Sequence, residues 1–410
     1  MSSLQRLLKT ARKASYYREV IPEDAAESGA LGSVPITTQG QYKKISATNP
    51  MLLQAEVQPG GIVLQTGGTT GSPKYAIYSG VEMRRMVRAG VTMLRTMGVK
   101  SGDHVLNCLA AGELYGGLIT LEHELLAANA RSLPVGAQVP PEFFALVARQ
   151  FKPQAMFIQP MAFIPTLRKA HEMAPELEIP LVLYGGTGLT REDAGWLREA
   201  FGVQRFSSVI ASVDALMYGV QCEHCKGTVH HAMDDFNHVE IVDADGGPVG
   251  PGEAGRIILT SLYRTSFPLV RYDIGDLGRW VEGPCACGRK GRRFEFVGRG
   301  GDYMKIAPSV YVWFHELCEP LYAEGASVVQ AILEPEGHIT HMVLNVEAER
   351  TEPSRAMDAL YTRFPAIKSH VETGMLRVTF APKKPGEIPR SQRTGKLPNV
   401  IDHRTAKAGV

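Results

Sequence analysis

Short apolar runs that alternate with stretches of helical period constrain this chain more than any other feature. Val105-Leu106-Asn107-Cys108-Leu109 and Arg205 to Ile210 read as strands, and Met156-Phe157-Ile158 and Leu181-Val182-Leu183-Tyr184 as buried ones. Leu121 to Ala130, Glu142 to Phe151 and Arg191 to Phe201 read as helices. This β–α alternation predicts an α/β fold, with helix-covered β-sheets. From Val239-Glu240-Ile241-Val242 through Arg256-Ile257-Ile258-Leu259-Thr260 the pattern becomes β-rich, with the turn Asp245-Gly246-Gly247-Pro248 between the two strands. Leu4 to Glu19 reads as a basic amphipathic helix. After the short strand Tyr75-Ala76-Ile77-Tyr78, Met83, Met86, Val87, Val91, Leu94 and Met97 recur at helical spacing, a core stripe.

A chain of 410 residues exceeds what one hydrophobic core usually organises. Gly298-Arg299-Gly300-Gly301-Asp302 is the predicted joint. It separates a large domain, residues 1–300, from a small mobile α+β domain, residues 301–410. In the latter, Val328 to Leu333, His341 to Val346 and Met375 to Phe380 read as strands, Ser354 to Phe364 as a helix, and the tail from Lys383 as a loop. Lys plus Arg number 44 against 42 Asp plus Glu, which gives no reason to expect nucleic acid or an anionic membrane as partner. No apolar run is long enough for a membrane span, and Met1-Ser2-Ser3-Leu4-Gln5-Arg6 lacks the apolar core of a signal peptide, so the expected location is cytoplasmic.

The chemistry concentrates in Thr66-Gly67-Gly68-Thr69-Thr70-Gly71-Ser72-Pro73-Lys74. Glycines let backbone N–H groups approach an anion, hydroxyls add donors, and a lysine at the far edge adds positive charge. That suits nucleotide phosphates, although the order of residues differs from G-x-x-x-x-G-K-[ST]. It resembles instead the phosphate loop of the adenylate-forming superfamily, T-[SG]-G-[ST]-T-G-x-P-K. Three further motifs follow in that family's order, and the likeness spans nearly the whole chain.

Arg271-Tyr272-Asp273-Ile274-Gly275-Asp276 resembles the R-Y-x-T-G-D form of phenylacetate–coenzyme A ligases, with Ile274 in place of the usual Thr. The resemblance puts Asp276, at the end of a strand, on the ribose hydroxyls, a role for which an ionised acceptor-only carboxylate is suited. Gly298-Arg299-Gly300-Gly301-Asp302-Tyr303-Met304-Lys305 resembles the family hinge; Arg299 would reach the nucleotide and Gly301 holds the hinge position. Ala307-Pro308-Ser309 replaces the glycine that follows in the family, where that stretch lines the path of coenzyme A. Pro389-Arg390-Ser391-Gln392-Arg393-Thr394-Gly395-Lys396 resembles the C-terminal loop whose lysine meets the carboxylate and the α-phosphate, making Lys396 the catalytic candidate.

Weaker likenesses complete the expected site. Gly186 and Thr187, in Tyr184-Gly185-Gly186-Thr187-Gly188, fall where the family meets adenine. Asp214 falls where it holds Mg²⁺, a hard oxygen ligand for a hard cation. Tyr115, Gly116 and Gly186 are the candidates for the acyl pocket.

Of six cysteines, Cys222/Cys225 and Cys285/Cys287 form two tight pairs, which in a cytosolic chain suggest a metal before disulfides. With His224, His230 and His231 beside the first pair, they match a closed tetrahedral zinc site of structural type. The expected ligands are Cys222, Cys225, His230, Cys285 and Cys287, with the final set of four left open.

The resemblance implies ATP-dependent activation of a carboxylic acid, by implication aromatic, to an acyl-adenylate with release of pyrophosphate. Transfer to coenzyme A would follow. An amine, hydroxyl or carrier-protein thiol is the alternative acceptor. ATP/AMP, Mg²⁺ and zinc are the implied ligands, and a homodimer is the implied assembly. Two other classes stand beside this one: a nucleotide-binding module without catalysis, and a zinc-ribbon interaction protein, which leaves the other motifs unexplained.

Overall fold

The computed structural model describes residues 2–65, 74–300, 303–307, 310–337, 339–349, 352–390 and 397–404. The chain forms two compact units, one reaching to Val297 and one beginning at Gly298.

The first unit is built on an eleven-stranded sheet. Its strands lie side by side in the order Asn237–Val242, Ala254–Ser261, Tyr272–Val281, Arg293–Arg299, Val229–Ala232, Leu216–Val220, Arg205–Ser212, Leu181–Gly185, Ala155–Ile158, His104–Asn107 and Arg131–Leu133. The last five are parallel, the others antiparallel. This is the α/β architecture that the alternating pattern predicts. The parallel strands read as near-continuous apolar runs because helices cover both faces. Ala155–Ile158 is buried at every position.

The helices over this half form where the period indicates. Gly80–Met97 starts at a capping box, in which Ser79 accepts from the Glu82 N–H and the Glu82 carboxylate accepts from that of Ser79. It stops at Gly98, which adopts the left-handed conformation. Its methionine stripe is core: Met86, Met93 and Met97 are buried against Leu121 and Leu125 of the helix Gly117–Ala127. The predicted helix Leu4 to Glu19 is two helices, Ser3–Ala11 and Ser15–Val20. The break at residues 12–14 turns the chain so that Tyr17 is fully buried and its hydroxyl accepts the Val270 N–H at 3.2 Å. These helices cap the β-rich end, packing on Val239, Ile241, Ile257, Leu259 and Tyr272.

Side-chain contacts show that the β-rich end curls. Tyr218 hydrogen-bonds Asp276, yet their strands stand three places apart in the sheet. A flat sheet would hold such strands roughly 14 Å apart, beyond side chains that rise from its face. Curling also brings the amide of Asn237 onto the carbonyls of Ala215 and Met217, at 3.1 and 2.7 Å.

The second unit carries a four-stranded sheet in the order Leu376–Lys383, Ile339–Glu347, Val328–Glu336 and Val400–Asp402. Helices Phe314–Ala323, Pro353–Arg363 and Pro365–Glu372 share its core. The tail read as a loop from Lys383 contains the short strand Val400–Asp402. Three residues paired to Ala331, Ile332 and Leu333 give too little periodicity to read from sequence. Among the described residues no helix is long and apolar enough to cross a membrane.

Candidate active site

The phosphate-loop candidates Thr66, Gly67, Gly68, Thr69, Thr70 and Gly71 lie outside the described residues, as does Lys396. Their flanks are described. Strands Gly61–Gln65 and Tyr75–Ser79 pair antiparallel with Gln65 opposite Tyr75. Lys74, after that loop, reaches a buried carboxylate of the first unit.

There the Lys74 ammonium donates to Asp214 Oδ2 at 2.6 Å and to the Tyr272 hydroxyl at 2.7 Å, and that hydroxyl donates to the same oxygen at 3.0 Å. Asp214 is 1% exposed, and its Oδ1 has no hydrogen-bond partner among the described residues. Burial and the adjacent carboxylate hold the Tyr272 phenol far above its usual range, so it stays a neutral donor. The Asp214 carbonyl accepts from the wholly buried Arg264 at 2.6 Å and from Tyr78 at 3.0 Å. Arg264 lies over the Tyr78 ring, 4.5 Å from its centroid. The three members of this cluster come from a loop edge, a turn after a parallel strand, and the first residue of an antiparallel strand. A buried carboxylate oxygen without a partner is a strong acceptor that a hard cation would satisfy.

Asp276 is 8% exposed and accepts from the fully buried Tyr218. Instead of ending a strand, it stands mid-way along Tyr272–Val281. Gly275, at φ +78°, breaks the pleat just before it. Arg271, in the same motif, faces elsewhere. It pairs with both carboxylate oxygens of Glu240 at 3.2 and 3.0 Å and donates to the Val34 carbonyl at 2.8 Å, tying the N-terminal segment to the sheet.

Gly186 follows the carboxyl end of Leu181–Gly185, and Asp214 follows that of Arg205–Ser212. Ligands of open α/β sheets bind at such ends. Gly186 has φ +77°, and a Cβ there would lie 3.1 Å from the buried Gln159 amide. Thr187 Oγ1 accepts the Met161 N–H at 3.2 Å, near the start of the helix Pro160–Met173.

Tyr115 and Gly116 lie in a turn fastened to the strand Gly61–Gln65, with the Gln65 N–H donating to the Leu114 carbonyl at 2.9 Å. Glu113 and Leu114 take φ of 47° and 60°, and Arg271 and Leu216 are also left-handed. Non-glycine residues persist in that region only when their surroundings impose it, and they concentrate at functional sites. A Cβ on Gly116 would stand 2.7 Å from Leu64, which explains the glycine. Arg299 ends its strand and is exposed.

The cysteine pairs converge. Cys222 Sγ lies 3.6 Å from both Cys225 Sγ and Cys285 Sγ, and Cys287 Sγ lies 3.4 Å from His231 Nε2. The ligand atoms of Cys222, His231, Cys285 and Cys287 are all within 4.8 Å of one another, and no disulfide forms. Backbone N–H groups of His224 and Arg289 point to the sulfurs of Cys222 and Cys287, at 3.4 Å each.

The histidine in this group is His231, a correction to the expected His230. The two are neighbours on Val229–Ala232, and successive residues of a strand face opposite ways. His230 instead meets the Ser208 hydroxyl at 2.6 Å and the Thr228 carbonyl at 2.7 Å. Burial pushes the pKa of both imidazoles down to about 4, so both are neutral.

Residues 43–263 match the family model of the AMP-binding enzymes, more than half of the chain. The chain belongs to the AMP-binding enzyme family. Among curated relatives, a phenylacetate-coenzyme A ligase of Thermus thermophilus is 28% identical over 83% of this chain and 80% of the relative. A phenylacetate-coenzyme A ligase of Escherichia coli is 24% identical over 94% and 88%. A crystal structure of 2-hydroxyisobutyryl-CoA ligase in its postadenylation state superposes with a TM-score of 0.75 at 20% identity, covering 98% of this chain and 89% of that one. That likeness agrees with the fold described above.

Proposed function

We propose that this AMP-binding enzyme activates a carboxylic acid, of aromatic type, with ATP and then passes the acyl group to coenzyme A. The observation that carries the reading is the Lys74–Asp214–Tyr272 cluster, which joins the edge of the phosphate loop to a buried carboxylate at the carboxyl ends of the parallel strands. The curated relatives that match over most of their length are named for that chemistry.

In this reading the loop amides and hydroxyls of Thr66, Gly67, Gly68, Thr69, Thr70 and Gly71 cradle the phosphates, and Lys74 supplies the charge beside them. Asp276 accepts from the ribose hydroxyls. Gly186 and Thr187 border the adenine, and Arg299 approaches the nucleotide. Tyr115, Gly116 and Gly186 line the acyl group. Asp214, through the oxygen that has no partner here, would hold the Mg²⁺ that accompanies ATP, and the ion would neutralise phosphate charge. The substrate carboxylate attacks the α-phosphate, pyrophosphate leaves, and Lys396 stabilises the negative charge gathered between them. Transfer then forms the thioester with loss of AMP. The small unit would carry Lys396 to the site and turn about Gly301.

Cys222, Cys285 and Cys287 with His231 would hold a structural zinc ion, with Cys225 as an adjacent thiol. Sulfur separations of 3.6 Å suit four ligands around one ion, and zinc there would clip the turn after Leu216–Val220 to the segment before Arg293–Arg299.

An amine, hydroxyl or carrier-protein thiol as acceptor is the second reading, favoured by Ala307-Pro308 where the resembled family pattern has glycine. The test is ATP–pyrophosphate exchange with a panel of aryl and short-chain acids, first without coenzyme A. Exchange that depends on the acid is expected; absence with every acid, alongside measurable ATP binding, refutes the activation step. Adding coenzyme A, or an amine, then separates the acceptors.

A further inference from the structure

We propose that Tyr218 is a positioning residue for nucleotide binding, fixing the carboxylate of Asp276 so that it meets the ribose diol in one orientation. The inference rests on Asp276 as the ribose-binding residue.

Tyr218 is 0% exposed, in the strand Leu216–Val220, which is buried at every position. Its ring stacks on Phe294, with centroids 6.3 Å apart and planes 13° from parallel. Phe294 is itself 0% exposed, between His230 on one side and Trp280 on another, at 6.1 and 6.5 Å. The phenol ring is therefore held rigidly, and its hydroxyl donates to Asp276 Oδ2.

A carboxylate turns easily about its last torsion, which is broad and nearly two-fold. Two hydroxyls of a ribose require both acceptor directions at once, so a freely turning group loses orientational entropy on binding. The hydrogen bond to Oδ2 sets the carboxylate plane beforehand, and so the direction of Oδ1. The backbone contributes too. Gly275 at φ +78°, its N–H bonded to the side chain of Asp273 at 2.9 Å, interrupts the strand just before Asp276, while Asp273 faces outward to Arg256 at 3.0 Å. Only the curl of the sheet lets a residue three strands away reach Asp276, and no local pattern around Tyr218 reports it.

The experiment is titration calorimetry of the full chain with Mg·ATP and with Mg·2′,3′-dideoxy-ATP, for the wild type, Tyr218→Phe, Asp276→Asn and the double variant. The wild type should prefer ATP, and Asp276→Asn should lose that preference. Tyr218→Phe removes one oxygen from a fully packed ring and should reduce the preference about tenfold, the usual scale for a hydrogen bond to a charged group. In the Asp276→Asn background it should change nothing further.

If Asp276→Asn loses the preference while Tyr218→Phe keeps it, or weakens both nucleotides by one factor, Tyr218 is only a packing residue and the inference is overturned. If Asp276→Asn keeps the preference, the ribose role of Asp276 falls, and the inference with it.

Discussion

Replacing Glu124 with Gln should make the protein's stability far less sensitive to alkaline pH. Glu124 lies in the helix Gly117–Ala127 and is 3% exposed. Its carboxyl packs into the space left by Gly90 of the neighbouring helix. Burial alone pushes its pKa from 4.5 up to about 8. The fold therefore prefers the protonated acid, while the unfolded chain releases the proton near pH 4.5. Stability from this group is intact below that pH, falls as pH rises through the window from 4.5 to 8, and is fully lost above it. The shift of about 3.5 units corresponds to about 5 kcal/mol in total, of which about 3 kcal/mol falls between pH 5.5 and 8.5. Gln has nearly the same shape and no charge to bury. Urea unfolding followed by circular dichroism at both pH values measures the difference. The variant should gain about 3 kcal/mol on the wild type over this interval, or about 1 M in urea midpoint at an m-value typical of a unit this size. Parallel pH profiles for the two proteins would refute the reasoning, because they would mean that the carboxylate is solvated in the fold.

Three further outcomes are expected. Lys396→Ala should abolish acid-dependent pyrophosphate exchange while leaving Mg·ATP affinity within a few-fold of wild type; exchange at the wild-type rate would remove Lys396 from the mechanism. Protein purified without chelator should contain about one zinc per chain, and Cys285→Ser should lose the metal and melt at a lower temperature; metal-free wild type of unchanged stability would leave the cysteines as packing residues. Gly90→Ala would place a Cβ 2.2 Å from the Glu124 Cγ, and should cost about 1–3 kcal/mol despite the better helix propensity of alanine. In a double-mutant cycle Glu124→Ala should recover most of that loss, and strict additivity would show that the two sites do not touch.

Much of the parallel half was legible because its signals are local. The stripe from Met83 to Met97 marks its helix by spacing alone, and the buried runs at Met156 and Leu181 need no partner to be recognised. Helical period runs unbroken from Leu4 to Glu19, whereas the interruption of that helix serves the burial of Tyr17, a long-range demand. The Cys/His cluster was legible in its cysteines, whereas the histidine beside them was not. His230 and His231 are chemically identical neighbours, and only the direction each takes from its strand puts one beside the cysteines and the other on Ser208.

By itself the sequence determined the α/β architecture and the two cysteine pairs, since each is written in consecutive residues or in a short period. The tertiary structure decided which groups meet. Lys74 reaches Asp214 and Tyr272 across 140 and 198 positions, and Tyr218 reaches Asp276 across 58. The meeting of Tyr218 with Asp276, like that of Tyr272 with Asp214, depends on the curl of the β-rich sheet, the sum of twist and packing over many strands, and no short segment of the chain encodes such a sum.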